Sequence, residues 1–238
     1  MMTATGKLYG IGVGPGDPEL IPLKAVRILG GVDVVFAASS SKNTYSMAVD
    51  IARNHIPENT PIIKLPFPMT RDKIETEKAW RENAQTIIAH VSAGKQAAFI
   101  TLGDPMTYST YGYVLKSILA IRPDLPIETV PGITSYQACA SRLNTPLVEG
   151  EESLLITSGV KGGDRLRNTS PRPENIVFLK AYRNAADISL ALEESNMVDN
   201  SVGISCCSLP QEEIIRDIRA FKDRKPGYWT IIIAKQNP

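Results

Sequence analysis

The chain has 238 residues, 43% of them hydrophobic and 21% charged, with Lys plus Arg at 26 against Asp plus Glu at 25. That length suits one large domain or two small ones, and a net charge of +1 argues against nucleic acid or another polyanion as the partner. No apolar run approaches the ~20 residues that span a bilayer, and the first residues lack the charged-then-apolar layout of a signal peptide, so cytoplasm is the expected compartment.

In chain order, residues 8–13 form an apolar run that predicts a strand ending in a glycine-rich turn. Asp17, Pro18 and Glu19 suit the cap and first turn of a helix. Leu20, Leu23, Val26 and Leu29 continue that helix until Gly30 and Gly31 stop it. Strands are predicted at 32–37, 61–65, 97–101 and 127–130. Between them lie a weak helix at 47–53, a long one at 71–93 and another at 108–121. Strands separated by helices imply crossovers and a mostly parallel sheet. A helix at 136–143 is followed by a polar loop at 144–152, which is the expected boundary between domains 1–143 and 144–238. Beyond it the pattern predicts strands at 154–157, 176–180, 202–205 and 229–234, and a helix at 185–195. Residues 213–217 fit a strand or a helix start equally. The fold class expected is therefore two α/β domains, with a mostly parallel sheet in the first and a mixed sheet in the second.

Cys139, Cys206 and Cys207 are the only cysteines. Their odd number and the adjacent pair argue against a disulfide framework or a structural zinc site. Buried or inert thiols are expected, and no metal site is predicted. His55 and His90 are isolated in polar stretches and carry no predicted chemistry.

Three turns stand out. GIGVGPGDP runs from Gly10 to Pro18, GDPMTY from Gly103 to Tyr108, and VPGITS from Val130 to Ser135. Each lies between a predicted strand and a predicted helix, the place where open α/β sheets bind ligands. The first turn does not match the dinucleotide spacing GxGxxG: counted from Gly10 the sixth residue is Pro15, and from Gly12 it is Asp17. No acidic residue closes the second strand, and no GxxxxGK[ST] loop is present. Taken singly, each turn also has a plain structural explanation, Asp104 as an Asx turn and Thr134 or Ser135 as a helix cap.

The set GVGPGDPELIPLKAVRIL, TLGDPMTYSTYGYV and VPGITSYQA resembles the tetrapyrrole methylases, the class III S-adenosylmethionine-dependent methyltransferases. IVFLKA (176–181) and YWTIIIA (228–234) extend the resemblance over nearly the whole chain. KLPFPMT (64–70) and TLGDPMTYSTY (101–111) are similar to the members that methylate C20 of a corrinoid precursor. Uroporphyrinogen III methylases instead resemble Gly-Gly-Asp-Pro-Phe, where this chain has Leu102 in place of the first glycine.

The resemblance implies two α/β domains, a homodimer, S-adenosyl-L-methionine as methyl donor and S-adenosyl-L-homocysteine as product. It implies a tetrapyrrole substrate, precorrin-2 or cobalt-factor II, methylated at C20 in cobalamin biosynthesis. Cofactor contacts are implied for Pro15, Leu102, Gly103, Asp104, Thr107, Thr134 and Ser135. In the second domain they are implied for Lys180 and Ala181, where relatives carry Tyr-Met-Gly, and for the main chain of Trp229 and Thr230. Residues 205–209 align poorly with relatives. Gly14 and Pro15 are implied beside the substrate. Its carboxylates call for cations, and Arg71, Lys73, Arg81, Lys161 and Arg183 are the candidates. Tyr108, Tyr111 or Asp104, or water, would take the proton from C20. Two alternatives stay open: a methylase of the same family acting on another ring carbon, on RNA or on a protein side chain, and a nucleotide-binding redox or regulatory module.

Overall fold

The computed structural model describes residues 6–40, 46–70 and 72–236. Its contacts divide the chain into two compact units, Met1–Thr134 and Ser135–Pro238.

The first unit carries β1 (Lys7–Gly12), α1 (Leu23–Leu29), β2 (Val34–Ser40), α2 (Met47–Ala52), β3 (Ile62–Phe67), α3 (Lys73–Ser92), β4 (Gln96–Thr101), α4 (Tyr111–Ile121) and β5 (Ile127–Val130). The strands stand in the order β3-β2-β4-β1-β5, and every pairing is parallel. A parallel sheet covered on both faces needs apolar residues on both sides of each strand. Val35, Ala37, Ala98 and Ile100 pack with Ala25 and Leu29 of α1 and Ile51 of α2. Val34, Phe36, Ala97 and Phe99 point the other way, onto Ile87 and Val91 of α3 and Val114 and Ile118 of α4. Asp72 starts α3 by accepting from the Ile74 and Glu75 amides, two of the unpaired donors of a helix start.

Two helix starts differ from expectation. Asp17 caps only a 3-10 turn at Pro18–Leu20, accepting from the Glu19 amide at 2.9 Å. Pro22 then pushes Ile21 into an extended conformation (ψ 134°), and α1 begins afresh at Leu23. The helix expected from residue 108 begins at Tyr111, because Tyr108 takes a left-handed conformation (φ 51°) that no α-helix continues through.

The second unit carries α5 (Ser135–Leu143), β6 (Leu154–Ser158), α6 (Asp164–Arg167), β7 (Asn175–Leu179), α7 (Ala185–Glu194), β8 (Ser201–Ser205), β9 (Glu213–Ile215) and β10 (Thr230–Lys235). The sheet order is β6-β7-β10-β8-β9. Only β6 and β7 pair in parallel; the other pairings are antiparallel. The stretch that fitted strand or helix is thus the edge strand β9. Ile176, Phe178 and Ile232 pack on α6 and α7 through Leu166, Ile188 and Leu192. The opposite face, with Val177, Ile231 and Ile233, is covered by Cys139, Tyr136 and Leu143 of α5. That packing places α5 in the second unit, where the sequence had put it at the end of the first domain. Lys180, expected as the last strand residue, takes φ 56° and lies just past the end of β7.

Among the described residues no helix is long and apolar enough to cross a membrane.

Candidate cofactor and substrate site

In the first unit β1 lies between β4 and β5. The connection from β1 leads toward β2 on one side, and that from β4 leads to β5 on the other. Such a switch point leaves a crevice at the carboxyl ends of the strands. The turns after β1, β4 and β5, singled out in the sequence, meet at this end of the sheet.

They meet backbone to backbone. The Gly103 amide donates to the Gly14 carbonyl at 2.7 Å, and the Gly14 amide donates back at 3.3 Å. A Cβ on Gly12 would lie 2.5 Å from the Gly103 carbonyl oxygen and 2.7 Å from the Gly132 nitrogen. A Cβ on Gly132 would lie 2.2 Å from the same oxygen. These two positions admit only glycine because main chain, which cannot swing aside, fills the space.

Asp104 closes the arrangement. One carboxylate oxygen accepts from the Met106 amide at 2.9 Å and the Thr107 hydroxyl at 3.3 Å; the other accepts from the Gly132 amide at 3.1 Å. The carboxylate therefore ties the second turn to the third. The sequence showed Asp104 as a ligand contact or an Asx turn, and the Asx turn is present, with the added bond to Gly132.

The structure separates the other predicted residues. Gly14 and Pro15 are buried in the first turn, Leu102, Gly103 and Thr107 are half-buried in the second, and Thr134 is buried at the third. Ser135 is half-buried at the start of α5 in the second unit. Tyr108 is 55% exposed, in a backbone conformation rare for a bulky residue. Tyr111 is fully buried, packs under Gly10 and shares a hydrogen bond with the Thr129 hydroxyl at 3.1 Å. Burial pushes its phenol up despite that bond. Lys73 and Arg81 are exposed on α3, and neither hydrogen-bonds to the three turns among the described residues. Arg71 lies outside the described residues.

In the second unit, Ala181 and Thr230 are buried while Lys180, Lys161, Arg183 and Trp229 are exposed. The Thr230 hydroxyl bonds to Ser205 Oγ at 2.6 Å and donates to the Gly227 carbonyl at 2.7 Å. Its side chain is thus engaged within the sheet. Two features escaped sequence reasoning. The first is the aromatic group of Tyr182, Tyr228 and Trp229, which AYR and GYW at adjoining strand ends could have signalled. The second is the pair Cys139 and Cys207, packed in one apolar cluster. The neighbouring Cys207 sulfur, and then burial, push the Cys139 thiol up. Among the described residues no group of three or more His, Cys, Asp or Glu is placed to hold a metal ion.

The family model for Tetrapyrrole (Corrin/Porphyrin) Methylases matches residues 7–219, and the chain belongs to that family. Among individual proteins it is similar to the cobalt-precorrin-2 C(20)-methyltransferase of Salmonella typhimurium, 35% identical with 97% of each chain covered. It is also similar to the precorrin-2 C(20)-methyltransferase of a Sinorhizobium species, 33% identical with 96% of this chain and 95% of the relative covered. Two solved structures share the fold. One is a cobalamin synthesis related protein of Corynebacterium diphtheriae, TM-score 0.73 at 18% identity, covering 98% of this chain and 99% of the other. The other is the uroporphyrin-III C-methyl transferase of Thermus thermophilus complexed with S-adenyl homocysteine, TM-score 0.68 at 22% identity, covering 97% and 92%.

Proposed function

We propose that the chain transfers the methyl group of S-adenosyl-L-methionine to C20 of precorrin-2 or cobalt-factor II in cobalamin biosynthesis. The observation that carries this reading is the full-length similarity to two relatives that are both named for C20 methylation, one of cobalt-precorrin-2 and one of precorrin-2. Methylation at another ring carbon has no comparable support, and neither does a redox module.

The residues of the first unit fit such a cofactor. The strand-end crevice is lined by main chain and small side chains, and the Asp104 carboxylate beside it suits a positive sulfonium. When bound, S-adenosylmethionine supplies a methyl group already activated by its positive sulfur, so the protein is asked mainly to align the reactants. Alignment of this kind is worth roughly 7–11 kcal/mol in favourable cases. We assign cofactor contacts to Pro15, Leu102, Gly103, Asp104, Thr107, Thr134 and Ser135, and to Ala181 and the main chain of Lys180, Trp229 and Thr230.

As carbon is added at C20, the proton there must leave. Tyr108 is the side chain we assign to assist it, its hydroxyl taking the C20 proton as it passes its own to water, since its ring is exposed in the second turn. Tyr111 is a packing residue in this account, because its hydroxyl is held by Thr129 inside the core. Asp104 has its oxygens committed to the turns and acts as a positioning residue. Homodimer formation belongs to the same reading and rests on family resemblance.

Calorimetric titration with S-adenosylhomocysteine, with wild type and Thr107→Ala, tests the cofactor assignment. Saturable binding that weakens in the variant is expected. No binding by the wild type refutes it.

A further inference from the structure

The second unit brings two of the three cysteines together from distant parts of the chain. Cys139 sits on α5 and is fully buried. Cys207 sits in the turn after β8 and is half-buried. Both belong to the apolar cluster on the α5 face of the second sheet, and one thiol hydrogen-bonds to the other. Neither takes part in the methyl transfer proposed above.

The turn that carries Cys207 is fixed in place. Cys206 and Ser208, on either side of it, take left-handed conformations with φ 53° and φ 64°. Such conformations are unfavourable at residues other than glycine and persist only where the surrounding fold imposes them. The Cys206 amide donates to the Trp229 carbonyl at 3.2 Å, and the Leu209 amide donates to the Cys206 carbonyl at 3.0 Å. The Ser208 amide donates to one Glu212 oxygen at 3.1 Å, and Arg142 Nε donates to the other at 2.6 Å. Arg142 stands on the same helix as Cys139, so the turn meets α5 at two points, one ionic and one through sulfur.

Two adjacent thiols do not ionise alike. When Cys207 loses its proton, Cys139 donates to the thiolate that forms, which holds the Cys207 thiol below its ordinary value. The same pairing, and then burial, push the Cys139 thiol up. The half-exposed sulfur is therefore the better nucleophile, and the buried one waits beside it, the arrangement of an attacking and a resolving thiol.

We propose that Cys207 and Cys139 form a reversible dithiol/disulfide pair, oxidised by low-molecular-weight disulfides such as glutathione disulfide, that pins the turn after β8 to α5. The Cys207 thiolate attacks one sulfur of the reagent; a mixed disulfide forms and one glutathione thiolate leaves. That thiolate takes the Cys139 proton. The Cys139 sulfur then attacks the Cys207 sulfur, the internal disulfide forms, and the second glutathione leaves and is protonated by water. Two protein thiols are oxidised and one glutathione disulfide is reduced to two glutathiones.

The test treats the full chain with glutathione disulfide, blocks remaining thiols with N-ethylmaleimide and maps the peptides by mass spectrometry, with thermal unfolding in parallel. A Cys139–Cys207 link is expected, preceded in the time course by glutathione on Cys207, with Cys206 blocked by the maleimide and the link reversed by dithiothreitol. Closing a loop of about 70 residues should raise Tm by roughly 5–10 °C. Cys139→Ala should stop at the glutathione adduct on Cys207, Cys207→Ser should give neither product, and Cys206→Ser should oxidise like wild type. If Cys139→Ala does not fold, the order of products in the wild-type time course decides in its place. A Cys206–Cys207 link, a lasting glutathione adduct in wild type, or no reaction would overturn the proposal. So would a fall in Tm on oxidation, which would mean that the bond forms only by distorting the fold.

Discussion

Replacing Gly132 by Ala strikes the point where the three turns converge. The new Cβ would lie 2.2 Å from the Gly103 carbonyl oxygen and 2.8 Å from the Gly12 carbonyl carbon. Ordinary contact begins at 3.4 Å, so the third turn must retreat by about 1 Å from the first two. Both obstructing atoms are main chain, tied through the Gly14–Gly103 bridge, so relief by side-chain rotation is closed off. Overpacking of this kind destabilises by ~1–3 kcal/mol, or roughly 3–10 °C in Tm for a chain of this size. A displacement of about 1 Å in a positioning element can lower the rate by ~100-fold. The assay is thermal unfolding, S-adenosylhomocysteine calorimetry and kcat/KM on the same protein. Gly112→Ala is the control: no atom lies within 4 Å of its added Cβ, and helix propensity predicts a gain of about 0.5 kcal/mol. If Gly132→Ala melts and binds like wild type, the close-packed turns are not what shapes the site.

Asp104→Asn should lower stability by ~1–2 kcal/mol, since one amide group cannot accept from both the Met106 and Gly132 amides. Its cofactor affinity should fall while the pH profile of kcat keeps its shape; loss of one limb of that profile would make Asp104 the base. Tyr111→Phe removes a buried hydrogen bond to Thr129 and should lower stability by ~1 kcal/mol, with kcat within about twofold of wild type. A collapse of kcat without a change in Tm would return Tyr111 to the chemistry. Glu128 on β5 pairs with Lys24 and Lys7, which hold its carboxyl down to about 2 against an ordinary 4.5. The folded value lies below the unfolded one, so this contribution is complete above 4.5 and fades as pH falls toward 2. The Tm difference between wild type and Glu128→Gln should therefore shrink on acidification through that window, and a constant difference would exclude the linkage.

The parallel sheet was legible because its strands are short apolar runs such as VVFAA and AAFIT, separated by turn residues. The three turns that meet at the end of the first sheet were legible for the same reason, since strand-Gly-Asp-Pro and strand-Pro-Gly punctuation survives in one dimension. Pro22 was the signal that the first helix restarts. It was outweighed by the capping pattern at Asp17, Pro18 and Glu19, which in the structure serves a single 3-10 turn. The Tyr108 and Lys180 conformations were not legible, because positive φ at a residue other than glycine is imposed by the surrounding fold. The role of Asp104 depends on Gly132, far along the chain and on another turn, a relation no local pattern encodes. The aromatic group likewise brings together Tyr182, just after β7, and Tyr228, just before β10, which meet only because those two strands pair.

The most direct test of the account is the position of the transferred methyl. The purified chain would be incubated without oxygen with isotope-labelled S-adenosylmethionine and either precorrin-2 or cobalt-factor II, and the product examined by NMR. The account predicts label at C20, with the faster ring naming the substrate. Label at another ring carbon, or S-adenosylhomocysteine binding with no transfer to either ring, would contradict it.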